Sequence, residues 1–213
     1  MSQEVAATSA TAHADQGALA HLAGKYMTFK LADENYGLEI LKVREIIGLM
    51  DITRVPRTQE FIRGVINLRG KVIPVVDLRL KFGMPAAEAT DQTVIIVVQC
   101  QVADRLLTMG LLVDQVLTWT GQESAYHLEV LSIDAADIEA TPSLGDSSVD
   151  TSFILGVGKT NDRVVFLLDI GKVLAAERSL EAVLQRIVEV ACRLLQARYG
   201  ALGTLNAAGT LDR

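Results

Sequence analysis

The strongest constraint on what this chain can fold into is that part of it occurs twice. At an offset of 92 residues, Phe61-Ile62-Arg63-Gly64-Val65 falls on Phe153-Ile154-Leu155-Gly156-Val157. The register then holds without a gap, with Val72 on Val164 and Asp77 on Asp169. Six positions are identical over residues 61–78, and residues 73–76 and 78 pair apolar with apolar. Each copy reads as two short strands around a turn. Gly37-Leu38 and Gly110-Leu111 form an earlier pair at a different offset, so the loops of the two copies differ in length. Self-similarity of this kind predicts two related β units packed together. Each would hold about five short strands, and closing such a unit into a small barrel removes its exposed edges.

The repeat also separates scaffold from function. Phe, Gly-Val and Asp stand in both copies, so packing and turn geometry account for them. The first turn, Asn67-Leu68-Arg69-Gly70-Lys71, becomes Lys159-Thr160-Asn161-Asp162-Arg163 in the second. A hairpin of this design therefore does not need Arg69. Asn and Gly suit a tight turn because they tolerate positive φ, whereas an arginine at the tip has no such reason to be there.

Elsewhere the chain is mostly strand-like. Residues 1–24 are rich in Ala, Ser, Thr and Gly and read as a mobile tail, with a weak helix near Ala18–Ala23. Lys25–Leu31 alternates and returns through Asp33-Glu34-Asn35 as a second strand, Tyr36–Ile40. Val43, Ile46 and Ile47 fit either a helical turn or a bulged strand. Thr93–Gln99 is an apolar run that reads as a buried strand, and Leu106–Val113 as another. Gln122–Ser152 is acidic, turn-rich and without clear periodicity.

Of 213 residues, half are hydrophobic, and the formal charge is −6. That balance argues against nucleic-acid binding, which needs a basic face. Two isolated cysteines, Cys100 and Cys192, make neither a disulfide framework nor a metal cluster and suggest a reducing compartment. No signal peptide and no apolar run of membrane-spanning length is visible. Charge is unevenly distributed. Lys42–Lys81 carries nine basic residues against four acids, and Leu106–Gly158 carries eight acids and no Lys or Arg. This is either a solvated surface or a bipolar one that orients protein partners.

Catalytic motifs fail on context. Gly158-Lys159-Thr160 has the end of a phosphate-binding loop, but Phe153 stands where its first glycine belongs, and a strand-like run follows where a helix is required. His13, His21 and His127 are dispersed. Asp77 and Asp169 sit at equivalent strand ends and fit turn or cap roles better than paired acid chemistry.

With these residues in view, the chain resembles the CheW family of bacterial chemotaxis adaptors over about residues 25–175. The matching stretches are Tyr36–Ile46, Phe61–Phe82, Thr93–Val98, Gly110–Val116 and Phe153–Leu174. The resemblance implies a mainly β fold, two small SH3-like five-stranded β-barrels packed together, here followed by a C-terminal amphipathic helix. It implies no enzyme activity, cofactor or metal. It implies a cytoplasmic adaptor that couples methyl-accepting chemoreceptor tips to a CheA-type histidine kinase, without nucleic acid or membrane insertion. The receptor's helical tip would lie in a groove between the barrels. Motif match points to Val43, Glu45, Asn67, Arg69 and Gly70 as receptor- or kinase-binding candidates, with Val113 and Val116 across the groove. Arg69 either offers a forked donor to a partner or braces its own hairpin against Glu45.

Beyond Ala175 the resemblance ends. From Ser179, a plausible N-cap, Leu180, Val183, Leu184, Ile187, Val188, Ala191, Leu194 and Leu195 fall on one helical face. This helix and a strand at Ala201–Leu205 resemble the start of a GAF sensor domain. Residues 176–213 are thus expected to be a truncated or spliced end, or a helix that pairs with a copy of itself or packs on the barrel. The competing reading of the whole chain is a regulatory fragment of a sensor kinase with a partial GAF ligand-sensing domain.

Overall fold

The computed structural model describes residues 19–102, 105–117, 129–141, 151–160 and 163–175, and two short strands near the C-terminus. The strands are β1 (Gly24–Leu31), β2 (Glu34–Glu39), β3 (Val43–Gly48), β4 (Ile62–Leu68), β5 (Lys71–Asp77), β6 (Val94–Val102), β7 (Arg105–Val113), β8 (Gln115–Val116), β9 (Val130–Ile133), β10 (Ile138–Glu139), β11 (Ile154–Thr160), β12 (Arg163–Leu168), β13 (Thr204–Leu205) and β14 (Leu211–Asp212). The fold is mainly β, with two principal sheets and short helices at Leu78–Lys81 and Ile170–Ala175. β13 and β14 pair with each other. The amphipathic helix read from Ser179 and the tail at 1–18 lie outside the described residues.

The repeat holds to the residue. β4 pairs with β5 through Ile62–Val76, Gly64–Val75, Val65–Pro74, Ile66–Ile73, Asn67–Val72 and Leu68–Lys71. β11 pairs with β12 through the same six positions advanced by 92, from Ile154–Leu168 to Thr160–Arg163, with the bulge at the same step. Asp77 N–H donates to Phe61 O at 2.8 Å, and Asp169 N–H to Phe153 O at 2.8 Å. The two glycines of the earlier pair are equivalent too. Gly110 lies beside Val75 in the parallel β5–β7 ladder, and Gly37 beside Leu167 in the parallel β12–β2 ladder.

The chain divides into two compact units, residues 41–116 with 170–213, and residues 1–40 with 117–169. The first unit holds one five-stranded sheet, β3-β6-β7-β5-β4. The second holds β10-β11-β12-β2-β1, with β9 also on β1. Under the repeat, β11, β12, β2, β1 and β9 correspond to β4, β5, β7, β6 and β3, so the two orders are the same. Each repeat therefore gives its leading hairpin to one unit and its later strands to the other. The unit of 41–116 is inserted between β2 and β9 of its counterpart.

Both sheets must curl. β3 ends at Gly48, and Thr53 bonds the free side of β4, exchanging both backbone hydrogen bonds with Val65 at 2.9 Å. Five strand spacings separate those positions, about 24 Å across a flat sheet. The five residues from Gly48 to Thr53 reach roughly 18 Å at most. β9 and β10 repeat this, from Ile133 to Ile138, and Glu139 meets Val157 as Thr53 meets Val65. The arriving carbonyl explains the shared glycine. A Cβ on Gly64, whose φ is +141°, would lie 2.2 Å from Thr53 O, and one on Gly156 would lie 3.0 Å from Glu139 O.

Each unit has its own core. Ile66, Ile73, Val75, Ile95 and Val97 fill one, with Ile47, Ile52, Leu68 and Leu112 against them. Leu22, Tyr26, Ile133, Ile138, Val165 and Leu167 fill the other. Ile73 and Val75 are the repeat partners of Val165 and Leu167. Three points sharpen the sequence reading. Val43–Gly48 is a bulged strand rather than a helical turn. Leu78–Lys81 is a helix capped by Asp77 Oδ1, which accepts from Leu80 N–H at 3.2 Å. The aperiodic stretch 122–152 contains β9 and β10, whose four and two residues are too short to show alternation.

Candidate functional site

The β4–β5 connection is tighter than the sequence suggests. Leu68 pairs with Lys71, which leaves a two-residue loop, Arg69-Gly70, with φ of 52° and 83°. Two positive φ values make this a primed turn, whose twist matches that of the flanking strands. Such turns select Asn-Gly or Gly-Gly, and a side chain such as arginine gives up about 1 kcal/mol to stand there. Asn67 has a local task, since its Oδ1 accepts from Gly70 N–H at 2.9 Å. Gly70 is wanted for its φ alone, because a Cβ there would meet nothing within 4 Å.

Arg69 Nη2 donates to Glu45 Oε2 at 2.8 Å, from a side chain 79 % exposed to one 27 % exposed. The bracing contact is thus present. A pair this exposed contributes at most about 1 kcal/mol, which does no more than offset the unfavourable backbone of Arg69. Glu45 sits just past a bulge in β3, where Val43 faces Val98 and Glu45 faces Val97. Arg44 is the extra residue, and its guanidinium donates to Gln99 Oε1. Bulges re-aim side chains in this way.

Beside this turn the inner face of the sheet opens into a recess of about 320 Å3. Leu68, Ile73 and Val97 form its apolar floor, with Gln99 and Thr108 on the wall. Arg44, Glu45, Arg69 and Lys71 stand around it. The structure therefore brings Glu45, Asn67, Arg69 and Gly70 together, with Val43 adjacent on β3. Val113 and Val116 are placed differently. They are 1 % and 8 % exposed, on β7 and β8. Val113 lies five residues, about 17 Å, along β7 from Thr108. Between them Asp114 receives a hydrogen bond from Arg79.

The recess residues other than Arg69 and Glu45 escaped the sequence reading. They share a face only once the registers of five strands are known, and the only earlier hint was the basic bias of residues 42–81. Among the described residues no three His, Cys, Asp or Glu side chains group as metal ligands would. Gly158-Lys159-Thr160 lies within β11, a strand continues after it, and Lys159 pairs with Glu139.

The family profile of the CheW-like domain matches residues 25–178. The chain belongs to the CheW family. It is 35 % identical to the chemotaxis protein CheW of Klebsiella aerogenes, over 72 % of this chain and 82 % of that one. It is 36 % identical to the chemotaxis protein CheW of Rhizobium meliloti, over 71 % of this chain and 87 % of that one. The crystal structure of the scaffolding protein TtCheW from Thermoanaerobacter tengcongensis matches with a TM-score of 0.58 and 36 % identity, covering 71 % of this chain and 92 % of that one. The protein is accordingly a chemotaxis signal-transduction adaptor of the CheW type. Among the described residues no helix is long and apolar enough to cross a membrane. The sensor-kinase alternative is not favoured, because these relatives are nearly spanned by the matched region alone.

Proposed function

We propose that this adaptor couples methyl-accepting chemoreceptor tips to a CheA-type histidine kinase in the cytoplasm, by protein–protein binding and without chemistry of its own. Its curled sheets act as two SH3-like barrels, and residues 25–175 form the coupling module. Residues 176–213 are an addition that the coupling module does not need. The observation that carries the reading is Arg69. It occupies a backbone position that disfavours it, on an exposed turn, while its ion pair with Glu45 yields too little to justify the choice. A residue kept at such a position serves something other than its own hairpin.

In this reading Val43, Glu45, Asn67, Arg69 and Gly70 form the partner face. Arg69 supplies a planar, forked donor. Glu45 holds it until a partner carboxylate or carbonyl competes, and Asn67 with Gly70 fix the turn that presents it. Val113 and Val116, being buried, contribute by packing beneath the surface. The test is Arg69→Glu in a reconstituted assay of receptor, kinase and adaptor. Receptor-dependent kinase activation should fall at least tenfold while the melting temperature stays within about 2 °C. A large drop in melting temperature with normal coupling would make Arg69 a brace. A chain ending at Ala175 should couple as the full chain does.

A further inference from the structure

The proposed partner face includes a recess that the Arg69 argument does not use. Its floor is the edge of the core, half-buried Leu68 with buried Ile73 and Val97, and it is open on one side. At about 320 Å3 it lies at the bottom of the ~300–1,000 Å3 range of small-molecule sites. That is too small for a cofactor of ordinary size and suits one bulky side chain. Its rim is unequal in charge. Arg44, Arg69 and Lys71 stand against a single carboxylate, Glu45, which Arg69 already engages. Arg44 is held by the neutral amide of Gln99, so its charge is not cancelled.

We infer that the recess takes one large aliphatic or aromatic side chain from a protein partner, presented beside one or more carboxylates that meet Arg44 and Lys71. An apolar anchor inside a charged ring is how interfaces concentrate affinity in a few residues, and the ring steers encounter more than it holds. The inference rests on the coupling reading and adds to it. It makes Thr108, on the recess wall, and Lys71, on its rim, determinants of which partner segment binds.

The experiment uses the full chain and titrates it separately with a purified receptor-tip fragment and the purified kinase regulatory domain. Thr108→Phe places a ring in the recess. It should weaken one of the two partners at least tenfold and leave the other within twofold, with an unchanged melting temperature. Lys71→Glu, on an exposed side chain, should weaken the same partner and flatten the salt dependence of its binding. If both variants bind both partners like the parent while Arg69→Glu fails, the recess is unused and this inference is overturned, although the turn remains the partner face. If Arg69→Glu also binds normally, the coupling reading of this face falls with it. Should Thr108→Phe melt lower, Lys71→Glu decides alone, and parental affinity with a parental salt slope overturns the inference.

Discussion

Two residues near the first hairpin show how backbone geometry sorts structural from functional choices. Gly64 and Arg69 both have positive φ. At Gly64 no other residue fits, since a Cβ would stand 2.2 Å from a backbone oxygen. Gly64→Ala should cost at least ~2 kcal/mol in denaturant unfolding, through strain and a clash that cannot relax cheaply. At Arg69 a better residue is available, and the chain does not use it. Arg69→Asn should leave stability unchanged or raise it by up to about 1 kcal/mol, because Asn suits the first position of a primed turn and this gain is set against the lost pair with Glu45. The same variant should lose coupling, measured as receptor-dependent kinase activity. A variant that gains stability and keeps coupling would remove the functional reading of this position. The arginine's presence was legible in the sequence by comparison with the second hairpin. Its φ was not, because arginine is not the residue from which a primed turn is read.

At the scale of elements, the hairpins were the most legible part of the chain. Their register was fixed by a repeat that needs no structural knowledge to see. The turn was read as five residues, Asn67–Lys71, and the ladder narrows it to two by pairing Leu68 with Lys71. The recess was not legible, because its walls come from β3, β4, β5, β6 and β7 and depend on which face each presents. The β1–β2 hairpin carries its own pH dependence. Tyr26 and Tyr36 are buried, which raises both phenols above the usual tyrosine value, and Glu39 and Glu34 add to the effect in turn. The folded state therefore favours the neutral phenol. This contribution is intact below the unfolded value of 10.0, and drains as pH rises through the higher folded value. Stability should be flat up to about pH 9 and fall above about pH 10. Tyr26→Phe should shallow that fall. At neutral pH it should cost about 1 kcal/mol, because the Tyr26 hydroxyl donates to Leu22 O at 2.6 Å. Tyr36 also stacks on Phe29 and meets Phe166 at a tilt, with ring centroids 5.7 Å apart in each pair.

At the scale of the molecule, the grouping of strands differs from their order in the chain. The sequence suggested two related β units packed together, and in the structure each unit draws strands from both repeats. Local periodicity could not show this, because the joining ladders are parallel and pair Val75 with Gly110 and Leu167 with Gly37. A protease site inserted in the exposed segment between Ala86 and Ala89 tests the exchange. After cleavage of the folded chain, the two pieces should co-elute at the parental volume and separate only in denaturant. Pieces that part under native conditions would mean that the repeats fold as independent neighbours. The insertion also has a consequence during translation. At roughly 5–20 residues per second, the β1–β2 hairpin leaves the ribosome several seconds or more before β12, its parallel neighbour, is made. Through that interval Phe29, Leu31 and Leu38, all fully buried in the finished protein, have no core to enter. The five-stranded sheet of the inserted unit is complete once β7 has emerged and can close first, while its helix Ile170–Ala175 follows later. The nascent adaptor is therefore a molecule with one finished sheet and one waiting hairpin, and that hairpin is the segment a chaperone would hold.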